Sequence, residues 1–254
     1  MTELRITLLF AFLISTTASH AQRVIHVVVA LCDNQYQGIV KVPAGIGNGQ
    51  DARTNLYWGA GYGVKTHFNR SEEWIAQPAS QATDTHILER AVWKHKDSAV
   101  YIIADAYDGR YIKETTQALL SYASGADKSE LVVNGATLHI GGGADLIAYV
   151  GHDGLMEFSL DRTYTAKDTD QRETIILACI SKRYFAPYLK PTGAKPLVWT
   201  TGLMAPEAYT LKAALNGWVA RETDAEIRER AAKAYDQYQK CGINGARRLL
   251  VTGW

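Results

Sequence analysis

The sequence VIHVVVAL, residues 24–31, is an apolar run interrupted by a single histidine. Runs of this length that are rich in Val and Ile and lack polar alternation are typical of strands buried on both faces of a parallel sheet. Four similar runs follow: AVYIIA (99–104), LIAYV (146–150), TIILA (174–178) and LVWTT (197–201). Together the five runs predict a mainly parallel sheet.

Segments with helical spacing lie between and after the predicted strands. A helix is predicted after Asp84, a second over residues 111–124 and a third from Pro206. Thr223 and Glu226 have the spacing of a capping box, which predicts the start of a final helix. Strands that alternate with helices predict an α/β fold, here a three-layer α/β/α sandwich with a mainly parallel sheet.

The first 21 residues differ from the rest of the chain. Arg5 precedes the apolar residues 6–14, and the triplet Ser19-His20-Ala21 has the small residues that signal peptidase prefers. The apolar run is shorter than the ~20 residues that span a bilayer. We therefore expect residues 1–21 to be a cleaved signal peptide. Residues 22–254 are then predicted to form one exported domain, periplasmic or secreted, with no membrane span in the mature chain.

The composition excludes some classes of function. Lys and Arg number 27 against 26 Asp and Glu, a formal net charge of +1. A nucleic-acid groove or a polybasic membrane surface needs clustered Lys and Arg, so neither partner is expected. Three cysteines, Cys32, Cys179 and Cys241, leave at least one thiol unpaired within the chain. A Cys32–Cys241 disulfide stays open as an alternative.

Residues with chemical potential follow the predicted strands. In open parallel sheets, ligands bind beyond the carboxyl ends of the strands. The first strand is followed by Asp33 and Asn34, the second by Asp105, the third by His152 and the fourth by Cys179. A thiol needs a nearby imidazole to become a good nucleophile at neutral pH. Two neighbouring strands that end in His152 and Cys179 would supply such a pair.

The third and fourth strand ends resemble a known family. The segment from Gly151 to Gly154 (GHDG) after one apolar strand, and Ala178-Cys179 after the next, are similar to the motif pair of caspase-like cysteine peptidases. In that family His and Cys end adjacent parallel strands of an α/β sandwich. The resemblance implies a caspase-like fold, a polypeptide substrate and no metal or organic cofactor.

The resemblance also implies a role for individual residues. Cys179 would be the nucleophile and His152 the acid/base. Backbone amides of Asp153, Gly154 and Cys179 would stabilise the oxyanion. In the family the glycine follows the histidine directly, whereas Asp153 stands between them here. These assignments predict an exported cysteine endopeptidase.

Other interpretations stay open at the level of sequence. Asp33 and Asn34 could orient His152 or cap the turn after the first strand, and Asp105 could bind substrate or begin a turn. Lys182 and Arg183 could lower the pKa of the Cys179 thiol, or face solvent. Two non-peptidase alternatives also stay open. One is an extracytoplasmic binding protein on the same fold, and the other is a metal site formed by Cys32, His152 and Cys179.

Overall fold

A computed structural model describes residues 22–254, so the predicted signal peptide lies outside the described residues. A mixed eight-stranded sheet runs through this part of the chain in the order β10-β9-β8-β7-β1-β4-β3-β2, and β5 pairs with β6 in a separate hairpin. The strands are β1 (Arg23–Ala30), β2 (Trp74–Gln77), β3 (Ile87–His95), β4 (Val100–Tyr107), β5 (Lys128–Val133), β6 (Ala136–Gly141), β7 (Leu146–Val150), β8 (Glu173–Leu177), β9 (Lys195–Thr200) and β10 (Leu250–Val251). The helices are α1 (Val64–Asn69), α2 (Ile112–Ala123), α3 (Ser181–Leu189), α4 (Ala208–Val219), α5 (Asp224–Gln239) and α6 (Ile243–Leu249).

The five apolar runs form the centre of the sheet. Strands β4, β1, β7, β8 and β9 are neighbours in that order, and all four of their pairings are parallel. The remaining strands β2, β3 and β10 extend the two edges by antiparallel pairing. The predicted α/β class with a mainly parallel sheet is therefore confirmed.

Alternate residues of the central strands face two different layers. In β1, Ile25, Val27 and Val29 pack on one side, with residues of α1, α4, α5 and α6. On the other side, Val24 and Val28 pack with residues of α2, α3 and the β5–β6 hairpin. Successive side chains of a strand point to opposite faces, so a strand that is apolar at every position requires a cover on both. The result is the three-layer arrangement that the sequence predicted.

The helix predicted after Asp84 is wrong. Residues 87–95 form β3, which pairs antiparallel with β4 and places Arg90 opposite Asp105. The apolar residues suit a helical face, but the hydrogen-bonding edge of β4 gives this segment a sheet partner. Tertiary pairing thus overrides the local pattern.

The C-terminal helices agree better with the sequence. α2 and α4 occupy the predicted segments. At the start of α5, Thr223 and Glu226 form the capping box in which each side chain bonds to the backbone amide of the other residue. After α5, the chain forms α6 and then β10, which the sequence did not predict.

Two further expectations concern membranes and disulfides. Over residues 22–254, no helix combines the length and apolar character that crossing a bilayer requires. All three cysteines are free: Cys32 is buried, Cys179 is partly buried and Cys241 is exposed. The alternative Cys32–Cys241 disulfide is therefore not formed.

Candidate active site

A cleft of about 280 Å³ lies beyond the carboxyl ends of the central strands. Its walls come from residues of the loop 38–42, from the segment 203–206 after β9, and from Tyr57 and Met156. His152 and Cys179 both line it. The two candidate catalytic side chains therefore share one open cleft.

The register of β7 and β8 explains why these residues line the same cleft. Val150 is paired with Leu177 across the parallel ladder, and His152 and Cys179 each lie two residues further along. Parallel strands are about 4.8 Å apart, and residues at matching positions project to the same face of the sheet. Both residues therefore lie just beyond this ladder, at the same edge of the sheet.

Two groups bond directly to His152, and a third holds one of them in place. Its ring nitrogen Nε2 bonds to the carboxylate of Glu157, and its backbone carbonyl accepts a hydrogen bond of 2.8 Å from the Tyr149 hydroxyl. The same Glu157 oxygen accepts a hydrogen bond of 2.7 Å from the amide of Gly38. A carboxylate at Nε2 holds the proton on that nitrogen. Within the described chain no hydrogen bond engages Nδ1, so that nitrogen is available as a base.

Gly38 allows the close approach of Glu157. A Cβ added at position 38 would overlap the Glu157 carboxylate. Glycine has no side chain, so its backbone amide can reach the carboxylate from the loop. The loop 38–42 therefore both forms a wall of the cleft and fixes the group that orients His152.

The Cys179 thiol bonds to the backbone of Met204. The amide of Met204 donates to Sγ at 3.4 Å, and Sγ donates to the Met204 carbonyl at 3.6 Å. Burial raises the pKa of the Cys179 thiol, the Met204 hydrogen bond lowers it, and the nearby charge of Asp153 raises it further, so that the pKa lies above its ordinary value. The Cys179 thiol is therefore the neutral species at neutral pH.

Lys182 and Arg183 lie apart from the thiol. Lys182 donates to the Gly253 carbonyl at 3.3 Å and lies 5.4 Å from the centre of the Trp199 ring. The guanidinium of Arg183 lies 5.6 Å from the ring of Tyr184. Neither cation contributes to the pKa of Cys179, so of the two open alternatives the one in which they lower that pKa is not supported.

Asp153 and Gly154 are not among the residues that line the cleft. Asp153 is completely buried; its Oδ1 accepts from the Leu155 amide at 3.0 Å, and its Oδ2 has no partner among the described residues. Burial, together with the charge of Glu157, raises the pKa of the Asp153 carboxyl to about 7. A Cβ added at Gly154 would lie only 2.6 Å from the ring of Phe158, so this position is packed against Phe158.

Asp33 and Asn34 stabilise the loop after β1. Asp33 accepts hydrogen bonds from the amides of Gln35 and Tyr36, at 2.8 and 3.1 Å. Asn34 exchanges two hydrogen bonds with the backbone of Val42, at 2.8 and 2.9 Å. In the part of the chain that the structure describes, Glu157, rather than Asp33 or Asn34, bonds to the His152 ring.

Asp105 belongs to a separate buried cluster. Arg90 donates to its two oxygens at 2.6 Å each, and His26 bonds to it at 3.0 Å. The other ring nitrogen of His26 accepts from the Gly141 amide at 2.9 Å. All the carboxylate's bonds are thus inside the fold, and the residue is not among those lining the cleft.

The metal-site alternative lacks a set of ligands. Cys32 is buried, and burial raises the pKa of its thiol to about 11. No group of three His, Cys, Asp or Glu side chains suited to a metal ion occurs within residues 22–254. Cys32, His152 and Cys179 therefore do not form the ligand set that this alternative requires.

No protein-family model, curated protein or solved structure matches the chain. The function is therefore inferred from the cleft itself. Two parts of the cleft, Glu157 and Met204, were not predicted from the sequence. Glu157 had a local signal, because an acidic residue five positions after a candidate His can fold back onto the ring through a short turn. Met204 acts through its backbone, which leaves no signal in the residue type.

Proposed function

We propose that this protein is a cysteine endopeptidase, in which Cys179 attacks a peptide carbonyl and His152 transfers the proton. The observation that carries the proposal is the placement of both side chains in one cleft by the register of β7 and β8. The arrangement agrees with the resemblance to caspase-like peptidases, whose His and Cys end adjacent parallel strands. Only residues of this chain are needed for the chemistry.

The reaction follows from the free ring nitrogen. The Cys179 thiol gives its proton to Nδ1 of His152, and Sγ bonds to the scissile carbonyl carbon. The carbon–nitrogen bond then breaks as the imidazolium protonates the leaving amine. Water attacks the resulting thioester and gives a proton to Nδ1. The carbon–sulfur bond then breaks, Nδ1 returns the proton to Sγ, and the carboxylic acid is released.

Glu157 acts as a positioning residue in this scheme. Its bond to Nε2 keeps the proton on the nitrogen remote from the reaction and stabilises the imidazolium. The Gly38 amide holds the carboxylate in place. The three side chains Cys179, His152 and Glu157 then have the roles of nucleophile, base and orienting acid.

Stabilisation of the oxyanion is assigned to backbone amides. Within residues 22–254, no hydrogen bond engages the amides of Cys179 and Gly154. An unengaged amide close to the nucleophile can donate to a developing oxyanion. We assign the amide of Cys179 this role; Asp153 and Gly154, the further donors that the resemblance implies, do not line the cleft.

A second candidate function is peptide binding without catalysis. The observation in its favour is the raised pKa of Cys179, whose sulfur bonds to Met204. A neutral, hydrogen-bonded thiol is a weak nucleophile. The peptidase proposal therefore requires the proton to pass to His152 only when a substrate occupies the cleft.

Hydrolysis of an unfolded protein by matched cysteine variants tests the proposal. Cys179→Ala and His152→Ala should each abolish cleavage, whereas Cys32→Ala and Cys241→Ala should retain it. Cys179→Ser keeps a donor and acceptor for Met204 and so separates loss of the nucleophile from loss of the local fold. Cleavage that persists in Cys179→Ala would move the chemistry elsewhere, and binding without cleavage by the wild type would favour the second candidate.

A further inference from the structure

The walls of the cleft expose apolar side chains to solvent. Val40 is 93% exposed, Leu203 is 72% exposed and Met156 is 38% exposed. They come from three separate segments and line the same cleft as Cys179. Single exposed apolar residues are ordinary on protein surfaces, but several that converge on one concavity mark a binding surface.

The cleft offers no charged partner to a bound side chain. Among the described residues, the only ionisable lining group beyond His152 and Cys179 is Tyr57, whose pKa burial holds well above its ordinary value. The carboxylate of Glu157 is already engaged by His152 and Gly38. Four larger depressions of 370–470 Å³ occur elsewhere on the described surface, and their linings are rich in charged and polar side chains.

We infer that the cleft is a specificity site for an apolar side chain, such as Leu, Met or Phe, beside the scissile bond of the polypeptide. This inference rests on the proposed peptidase function. Its volume of about 280 Å³ falls below the ~300–1,000 Å³ of sites that hold whole small molecules, so it suits one side chain. Lys, Arg, Asp or Glu would enter without a compensating charge.

The expected discrimination follows from burial of apolar surface. Complete burial of a Leu, Met or Phe side chain changes binding by about ten- to a hundred-fold relative to leaving it in water. We therefore expect kcat/KM for peptides with such a residue next to the scissile bond to exceed that for Lys, Arg, Asp or Glu by at least about ten-fold. A carboxylate introduced on the wall of the cleft should reverse part of this preference for apolar over basic side chains.

The first experiment measures binding and cleavage separately on one peptide panel. The peptides share a neutral sequence and vary in one residue among Leu, Phe, Lys, Arg and Asp. Binding is measured with Cys179→Ala protein, and kcat/KM with the wild type. Tighter binding and faster cleavage of the Leu and Phe peptides support the inference. Apolar-selective binding without cleavage supports the site and contradicts the peptidase proposal.

A second experiment changes the wall of the cleft. Leu203→Glu and Val40→Glu should each lower binding of the Leu peptide about ten-fold and increase binding of the Lys peptide. Both positions are highly exposed, so the fold should persist. The matched control is Val132→Glu, at a 68%-exposed position on β5, which should change neither value.

Two results overturn the inference. One is preferential binding of charged peptides, or equal binding of all peptides, by the Cys179→Ala protein. The other is unchanged selectivity in Leu203→Glu and Val40→Glu. Cleavage that depends on Cys179 but favours Lys, Arg or Asp would leave the peptidase proposal intact and contradict the apolar site alone.

Discussion

Replacement of Asp153 by Asn should stabilise the protein at alkaline pH and leave it unchanged at acidic pH. The Asp153 carboxyl is completely buried, and one of its oxygens has no partner among the described residues. Asparagine keeps an oxygen for the Leu155 amide and cannot ionise. The variant therefore removes the cost of a buried charge with little change of shape.

The magnitude follows from the pKa of the carboxyl. Burial raises that pKa from 3.8 to about 7, and a factor of ten in proton affinity corresponds to about 1.4 kcal/mol. Between these values the folded protein keeps the proton and the unfolded chain loses it, so the free energy of unfolding falls as pH rises. The total loss is roughly 4 kcal/mol and is complete above about pH 7.

Urea unfolding of both proteins at several pH values between 4 and 8.5 measures the effect. Asp153→Asn should exceed the wild type by up to about 4 kcal/mol at pH 8.5 and match it near pH 4. Asp161→Asn, at an exposed position, is the control and should show no such pH dependence. A difference between Asp153→Asn and the wild type that is the same at pH 4 and pH 8.5 would refute the assignment of a buried, neutral carboxyl.

Three further predictions concern the site, the core and the N-terminus. Glu157→Gln should lower kcat by about a thousand-fold with little change in KM. The variant no longer holds the proton on Nε2 of His152, but it keeps the contacts with the substrate. An unchanged kcat, measured with a cleavable peptide, would contradict the positioning role. Asp105→Asn should lower the free energy of unfolding in urea by about 3–5 kcal/mol, since it leaves the buried Arg90 without its counter-charge; a loss below 1 kcal/mol would contradict this. N-terminal sequencing of exported protein should begin at or near Gln22, and a sequence that begins at Met1 would contradict cleavage.

The sequence predicted the central sheet because its signal is local. Strands buried on both faces must be apolar at nearly every position, and the five runs have this property. The separate β5–β6 hairpin carried a sequence signal of another kind. The β5–β6 hairpin turns at Asn134-Gly135, and both residues have positive φ. Such a dipeptide is a strong hairpin signal, which the sequence interpretation overlooked.

The candidate site was predictable only where it depends on strand order. His152 and Cys179 follow consecutive apolar runs, so a parallel pairing of those runs brings them together. The sequence alone did not single out the partner of His152, because Asp33, Asn34 and Glu157 all have suitable oxygen acceptors. Folding of the loops decides among them: the carboxylate of Asp33 is taken up by turn amides, whereas that of Glu157 reaches the ring.

The proposed mechanism requires the Cys179 sulfur to form a thioester with the acyl group of the substrate. Intact-mass spectrometry after acid quenching tests it, with nitrophenyl esters of N-acetylated leucine, lysine and aspartate as substrates. We expect a mass increase of one acyl group that maps to Cys179 and is missing in Cys179→Ala and in His152→Ala. An adduct found only on the exposed Cys241, or hydrolysis with no adduct on Cys179 at any quenching time, would contradict it.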